Sequence, residues 1–381
     1  MTKVKRRLRG VDYLVIFLIF IFSVIFSLTV RERYKKREIY LISNVVSNKG
    51  IYLNKSEYYV AINSEVELDI DNKYNINYSI SFPNNDILRV ENNKIIANNY
   101  GDVKFEIIVD NEKMAEGIIY VIKGLRKRDN EFDKTKTYVS CNEFSEEENE
   151  LLDKALIDRV DSAGNMTRAG VVEVIRFITL DFDRRIAYFY ENGRLNSYGQ
   201  RKVDGEGRYY HKGLYISEKK YDDIAYKLTG PASWGCPLTQ FTTAARYGFS
   251  SGGKMPNGFD CSGFVSWVLY NGGFDVNDSG AGDIPSRHDD LYDLGEKRFL
   301  NQELLDSGLV KVGDLVAYSG HMAIIGGIDN EGYYYVAESL PNFKGVVLNK
   351  YDQYKLKNTF THIMLMDSVY KEDGKLTNMW Y

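Results

Sequence analysis

The stretch NGFDCSGFV, residues 257–265, places a cysteine between an aspartate and a serine at the start of an apolar segment. Apolar residues recur at helical spacing after Cys261, which predicts that this cysteine lies in the first turn of a helix. The exposed amide groups and the dipole at that end of a helix favour the thiolate form of a cysteine. Gly263 permits close packing of the helix start against neighbouring backbone. Cys261 therefore has the setting of an activated nucleophile, although a small buried cysteine fits the local sequence equally well.

A histidine and a glutamate downstream complete a catalytic pattern. The segment VKVGDLVAYSGHMAIIGGID predicts a strand over 314–319, a Ser-Gly turn and a second strand that His321 begins. A histidine held by a sheet can accept a thiol proton and return it to a leaving amine. Glu338 interrupts the next apolar strand, YYYVAESL, and a carboxylate on an adjacent strand can orient the imidazole. Taken singly, His321 could be a turn residue and Glu338 a surface charge at a strand end.

The composition disfavours several other classes of protein. The 381 residues carry a formal net charge of -4, whereas nucleic-acid binders are usually basic. Cys141, Cys236 and Cys261 cannot all pair within one molecule, which excludes a dense disulfide framework and leaves at least one free thiol. The four histidines and the absence of Cys-x-x-Cys or His-x-x-x-His spacing disfavour a zinc site. Cys141 lies in a charged segment and Cys236 lacks a helix start, so both are predicted to be unreactive.

The N-terminus contains a predicted membrane anchor. Residues 13–30, YLVIFLIFIFSVIFSLTV, form an uncharged run long enough to span a bilayer. No small-x-small cleavage site follows this run, so we expect an uncleaved transmembrane helix over residues 11–30 after a cytoplasmic tail of residues 1–10. Five basic residues lie on each side of the run, so the positive-inside rule leaves the orientation open.

Residues 47–123 have the pattern of a small all-β domain. Apolar and polar residues alternate over 65–71, 76–82 and 103–109, and asparagine pairs lie between the runs. This pattern predicts short strands with one buried face, joined by turns, in a sandwich. The segment YSISFPNNDILRVENNKIIANNYGDVKFEIIV also resembles the group-two bacterial immunoglobulin-like domains, which implies a spacer or a module that binds glycan or protein.

The sequence pattern changes twice between the two predicted domains. Residues 124–150 are predicted to be a charged linker, because RKRDNEFDKTK and SEEENE lack apolar periodicity. Helical spacing then predicts helices over 151–160 and 168–180, and IAYFYENGRL predicts a strand with a hairpin turn. Residues 151–225 are interpreted as an extension that packs on a catalytic domain at 226–370.

The blocks FDCSGFV, GDLVAYSGHMAII and YVAES resemble the three signature blocks of the NlpC-type peptidoglycan cysteine peptidases, over residues 230–366. This resemblance implies an α+β papain-like core in which the nucleophile helix packs on an antiparallel sheet. It also implies that Cys261, His321 and Glu338 are the catalytic residues, with no cofactor and no metal. A histidine often stands at the place of Glu338 in this family, whereas related amidases and peptidases use a carboxylate or an amide there.

The same resemblance implies contacts with the substrate. Residues that flank the nucleophile bind the stem peptide in the family, which here implicates Asp260 and Ser262. The segment IPSRHDDLYDLG resembles a loop that shapes the substrate groove, and Arg287 is the expected contact in it. The segment GPASWGC lies where the family often has an aromatic-glycine segment along the cleft, so Trp234 is either a wall residue or a core tryptophan.

The resemblance and the anchor together imply a cell-wall hydrolase held in the bacterial membrane, with its catalytic part outside the cytoplasm. It is expected to cleave amide bonds in peptidoglycan stem peptides. An N-acetylmuramoyl-alanine amidase of the related cysteine-histidine type is one alternative, and a non-enzymatic wall-binding protein is another. The expected partners are peptidoglycan peptides, the membrane, and wall or protein ligands of the immunoglobulin-like domain, but no nucleic acid.

Overall fold

The computed structural model describes residues 50–83, 86–92, 94–128, 143–186, 188, 212–215, 229–234, 236–239, 259–274, 276, 281, 291–342 and 345–376. They fall into two compact units. The first unit includes the described residues of 50–57, 67–83 and 103–118. The second unit includes the described residues of 58–66, 86–102 and 119–376.

The described part of residues 50–121 consists of strands and turns and contains no helix. The strands are β1 (Ile51–Leu53), β2 (Glu57–Val60), β3 (Glu65–Val66), β4 (Ile70–Asn72), β5 (Ser79–Ser81), β6 (Leu88–Glu91), β7 (Lys94–Ala97), β8 (Gly101–Val109) and β9 (Glu112–Val121). In the first unit β1 pairs with β4 and β5 pairs with β8, both antiparallel. In the second unit β3, β7 and β6 form an antiparallel sheet. The predicted β content is confirmed, whereas the likeness to an immunoglobulin-like sandwich stays a prediction.

The rest of the second unit combines helices with one large sheet. The helices are α1 (Glu146–Ala163), α2 (Arg168–Arg176), α3 (Cys261–Asn271), α4 (Gln302–Asp306) and α5 (Gln353–Thr359). The strands are β10 (Thr229–Ser233), β11 (Cys236–Thr239), β12 (Glu296–Phe299), β13 (Leu315–Tyr318), β14 (His321–Ile328), β15 (Tyr334–Leu340), β16 (Gly345–Tyr351) and β17 (His362–Leu365). A π-helical turn, Phe177–Asp181, continues α2, and a 3-10 turn spans Leu291–Asp293.

Six strands form an antiparallel sheet in the order β12-β17-β13-β14-β15-β16. Apolar residues of α1, α2 and α3 form one buried cluster with residues from one face of this sheet, such as Ala317 and Met322. Leu304 of α4 and Leu356 of α5 belong to a second cluster with residues of the opposite face, such as Ala323. The helix that begins at Cys261 therefore packs on an antiparallel sheet, as the resemblance implied.

The predicted helices are present, with different ends. The helix predicted from residue 151 already begins at Glu146, because Ser145 and Glu148 form a reciprocal capping box at its start. The helix predicted over 168–180 keeps α geometry to Arg176 and then widens into the π-helical turn. Sequence periodicity does not distinguish these two helix types, because both keep an apolar face buried.

The first residues of the predicted linker are part of the second unit and are held there by polar contacts. The guanidinium of Arg128 donates to both carboxylate oxygens of Asp181 at 2.6 and 2.7 Å and to Glu173 at 2.8 Å. The backbone N–H of Arg126 donates to the carbonyl of Asp181 at 2.8 Å. Apolar periodicity does not reveal such contacts, because a charged residue can be held in place by a buried carboxylate without packing an apolar face.

Several predicted features lie outside the described residues. They are the tail and anchor at 1–30, the middle of the linker at 129–142, the hairpin at Asn192-Gly193, and Arg287. Among the helices of the described ranges, none is long and apolar enough to cross a membrane. The anchor and the domain boundaries thus stay predictions.

Candidate active site

Cys261 lies at the first position of α3 and is partly exposed. Asp260 is the N-cap residue of this helix, and its carboxylate accepts the backbone N–H of Gly263 at 2.8 Å. The Cys261 Sγ lies 3.8 Å from the carbonyl oxygen of Gly320. The cap fixes the start of the helix, so the sulfur stands where the helix dipole favours a negative charge.

The hairpin of β13 and β14 positions His321. Tyr318 pairs with His321 across a tight turn that ends at Gly320, whose φ of +80° lies in the left-handed region that favours glycine. The buried hydroxyl of Tyr292 donates to the carbonyl of Tyr318 at 3.1 Å. The imidazole is 4% exposed, and its ring centroid lies 4.8 Å from that of Tyr318 and 6.3 Å from that of Phe360. Hairpin geometry and aromatic packing thus fix the ring.

Glu338 projects from the adjacent strand β15 and is 2% exposed. Its Oε2 lies 2.8 Å from Nε2 of His321. Its Oε1 accepts the side-chain N–H of Asn349 at 2.7 Å and the hydroxyl of Tyr351 at 2.9 Å. Because Nε2 of the imidazole faces the carboxylate, Nδ1 is the ring nitrogen left to interact with the thiol of Cys261.

The electrostatics of the site favour a charged imidazole. Burial lowers the pKa of His321, but hydrogen bonds to Cys261 and Glu338, together with the charges of both, outweigh burial and raise it from 6.5 to about 9. The imidazole is therefore protonated at neutral pH. An imidazolium beside a sulfur is the partner that a thiolate needs, and it also carries the proton that a leaving amine requires.

The predicted substrate contacts next to the nucleophile lie beside it in the structure. The hydroxyl of Ser262 lies 3.4 Å from Oδ1 of Asp260, and Ser262 is buried in the first turn of α3. Asp260 has a clear structural role as the helix cap. Contact of either residue with a stem peptide stays a prediction, as does the role of Arg287, which lies outside the described residues.

Trp234 has the surroundings of a core residue, the second of its two predicted roles. It is fully buried, and its indole N–H donates to Asp153 Oδ1 at 2.8 Å. Its ring centroid lies 5.8 Å from that of Phe177 and 5.1 Å from that of Phe182. In this position the indole joins helix α1 to the π-helical turn.

Sequence reasoning missed Asn349 and Tyr351. Both lie on β16, two residues apart, and therefore on the same face of the strand. The register pairs Val336 with Asn349 and Tyr334 with Tyr351, which brings both side chains to the face that carries Glu338. A polar Asn at the end of the apolar run GVVL was a usable signal, since a buried amide needs a polar partner.

The region that contains this site resembles a known protein family. No curated protein and no solved structure gave a match to this chain. Cys261, His321 and Glu338 all lie within the residues that match a family model. Those residues, 246–359, match the NlpC/P60 family, a family of cysteine peptidases, and this match supports a cell-wall hydrolase.

Proposed function

We propose that this protein is a peptidoglycan endopeptidase in which Cys261 is the nucleophile, His321 the general acid and base, and Glu338 the residue that orients the imidazole. The observation that carries the proposal is the 2.8 Å contact between His321 and Glu338, buried beside a cysteine at a helix start. The NlpC/P60 match over residues 246–359 supports the same chemistry.

The reaction follows from the charges of these groups. The Cys261 thiolate attacks the carbonyl carbon of an amide bond, and the carbonyl electron pair moves to oxygen. When the tetrahedral intermediate collapses, the C–N bond breaks and the imidazolium of His321 gives its proton to the leaving amine. A water molecule then attacks the thioester, the neutral imidazole takes one proton from it, and the thiolate leaves. The products are one amine and one carboxylic acid.

Glu338 makes this proton transfer directional. A carboxylate on Nε2 fixes the ring orientation, so the proton that moves during the reaction is the one on Nδ1, next to the sulfur. It also stabilises the imidazolium, which persists until the amine has been protonated. The raised pKa of His321, about 9, is consistent with this role.

The substrate class and the location belong to the same proposal. An enzyme that cuts peptidoglycan must present its catalytic residues outside the cytoplasmic membrane, so the run at residues 13–30 is proposed as an anchor with residues 1–10 in the cytoplasm. The β-rich segment predicted at residues 47–123 is then proposed as a spacer between the bilayer and the catalytic region.

Digestion of purified muropeptides by the full-length protein, read by mass spectrometry, tests the activity. The expected products are stem-peptide fragments, each cut adding one water, and Cys261→Ala abolishes them. Cys141→Ala serves as the matched control and leaves them unchanged. Release of whole stem peptides from muramic acid would instead assign the amidase reaction. If the wild-type and Cys141→Ala proteins bind to sacculi but cleave nothing, the result would favour a non-enzymatic wall-binding protein.

Proteolysis of intact protoplasts tests the location. The segment after Val30 is expected to be digested while a cytoplasmic control protein stays intact. Protection of both would contradict the proposed orientation.

A further inference from the structure

The carboxylate of Glu338 has more hydrogen-bond donors around it than orientation of an imidazole requires. One oxygen faces His321, and the other accepts from both Asn349 and Tyr351. All four side chains are buried, with 2–7% of each exposed. We propose that Asn349 and Tyr351 are positioning residues for hydrolysis, which act through Glu338 by keeping its carboxylate turned toward His321. This inference rests on the proposed function of Glu338.

The energetic reason is the cost of burying a carboxylate. A buried carboxylate without donors favours its neutral form, because the protein interior solvates charge poorly. A carboxylate only accepts hydrogen bonds, so the amide of Asn349 and the hydroxyl of Tyr351 both act as donors here. Burial, together with the charge of Glu338 and the hydrogen bond to it, raises the pKa of Tyr351 far above its usual range. The phenol thus remains a neutral donor across the working range of pH.

The geometric reason is the rigidity of the strand that carries the donors. β16 pairs with β15 over seven consecutive residue pairs, from Tyr334 with Tyr351 to Leu340 with Gly345. The ring centroid of Tyr351 lies 5.7 Å from that of Phe360, whose ring also packs against His321 at 6.3 Å. Phe360 therefore lies against His321 and Tyr351, two of the three hydrogen-bond partners of Glu338, and the carboxylate is fixed between them.

Removal of the donors weakens the support that Glu338 gives to the imidazolium. The titratable groups that interact with Glu338 in the described part of the chain are His321 and Tyr351 by hydrogen bonding and Tyr318 by charge. When Oε1 loses its donors, the carboxylate is held less firmly against Nε2 and stabilises the imidazolium of His321 less. Fewer molecules then hold the reactive pair of sulfur and imidazolium at neutral pH.

Three variants of the full-length protein test this inference. They are Tyr351→Phe, Asn349→Leu and the double variant. Tyr334→Phe is the matched control, because Tyr334 pairs with Tyr351 on the same face and is buried, but its hydroxyl bonds to Gln353. The first readout is kcat and KM on muropeptides. The second is the rate at which iodoacetamide alkylates Cys261, located by peptide mapping, at neutral relative to alkaline pH.

Each single variant is expected to lower kcat on the order of tenfold with KM unchanged, as loss of one hydrogen bond to a charged group implies. The ratio of the alkylation rate at neutral pH to the rate at alkaline pH is expected to fall in each single variant. It is expected to fall furthest in the double variant. Tyr334→Phe changes neither quantity. If the three variants match Tyr334→Phe in both readouts, the inference is overturned.

The alkylation readout needs no substrate, so it separates this inference from the proposed function. A wild-type protein that fails to cut muropeptides would refute the proposed function. A lowered alkylation ratio in Tyr351→Phe would still support the positioning role in that case. Tyr351→Phe removes a single oxygen atom and keeps the ring against Phe360. This variant alone therefore tests the positioning role even if Asn349→Leu does not fold.

Discussion

Replacement of Glu338 by glutamine removes a charge from the site and keeps the size of the side chain. In the wild-type protein the pKa of His321 rises from 6.5 to about 9. That difference of roughly 2.5 pH units corresponds to about 3 kcal/mol in favour of the imidazolium. Hydrogen bonds and charges of Cys261 and Glu338 share this effect and also offset the burial of the ring. Because the hydrogen bond and charge of Glu338 both raise this pKa, Glu338→Gln lowers the pKa of His321.

The sign of the pH dependence follows from the role of the proton. The imidazolium protonates the leaving amine, so activity is present below the pKa of His321 and is lost as the pH rises through it. The alkaline limit of kcat is therefore expected near pH 9 for the wild-type protein. It is expected at a lower pH for Glu338→Gln, with activity reduced but not abolished.

Initial rates of muropeptide hydrolysis across the alkaline range measure this limit. Glu303→Gln, in the short helix α4, is the matched control, because it makes the same chemical change away from the site. An identical alkaline limit in wild-type and Glu338→Gln proteins would refute the assigned role of Glu338. It would mean that the 2.8 Å contact does not stabilise the imidazolium during turnover.

Two further predictions concern the base and the support of its strand. His321→Ala is expected to reduce muropeptide hydrolysis by a factor on the order of a thousand or more, nearly as far as Cys261→Ala, in the same mass-spectrometric assay. Arg168→Met removes the cation that bonds to buried Asp314 at 3.2 Å, just before β13. Denaturant unfolding is expected to show a loss of about 3–5 kcal/mol, because a buried charge loses its partner. Lys311→Met, which breaks an exposed pair, is expected to cost about 1 kcal/mol or less.

The chemistry-bearing elements could be predicted because their signals are local. Apolar spacing after Cys261 predicted a helix, and α3 begins at that residue. The segment AYSGHM predicted two strands around a Ser-Gly turn, and β13 and β14 pair Tyr318 with His321 across it. A tight hairpin leaves few ways to join two short strands, so its register could be read from neighbouring residues.

Contacts between distant segments could not be predicted in the same way. Arg168 and Asp314 are 146 residues apart, and each reads in isolation as an ordinary surface charge. β12 lies beside β17, and β17 beside β13, although these strands are far apart in sequence. Strands that follow each other in sequence need not be neighbours in a sheet, and alternation within one strand carries no information about its neighbours.

The two possible roles of Trp234 illustrate the same limit. A tryptophan in a glycine-containing segment has the composition of a cleft wall and of a core contact alike. The deciding partners are Asp153 and Phe182, which lie 81 and 52 residues before it and are invisible in the local sequence. Burial of the indole N–H required an acceptor, and the carboxylate of Asp153 on α1 provides it.

The carboxylate at position 338 and the donors on β16 have complementary hydrogen-bonding roles. A histidine often stands at this place in the NlpC-type peptidases that the sequence resembles. A neutral imidazole that accepted the N–H of His321 on one nitrogen would present an N–H on the other, where the donors Asn349 and Tyr351 lie. A carboxylate accepts on both sides, from His321 at 2.8 Å and from the two β16 residues at 2.7 and 2.9 Å. The hydrogen-bonding pattern of β16 as it stands therefore suits a glutamate, whereas a histidine at 338 would need Asn349 or Tyr351 to turn from donor to acceptor.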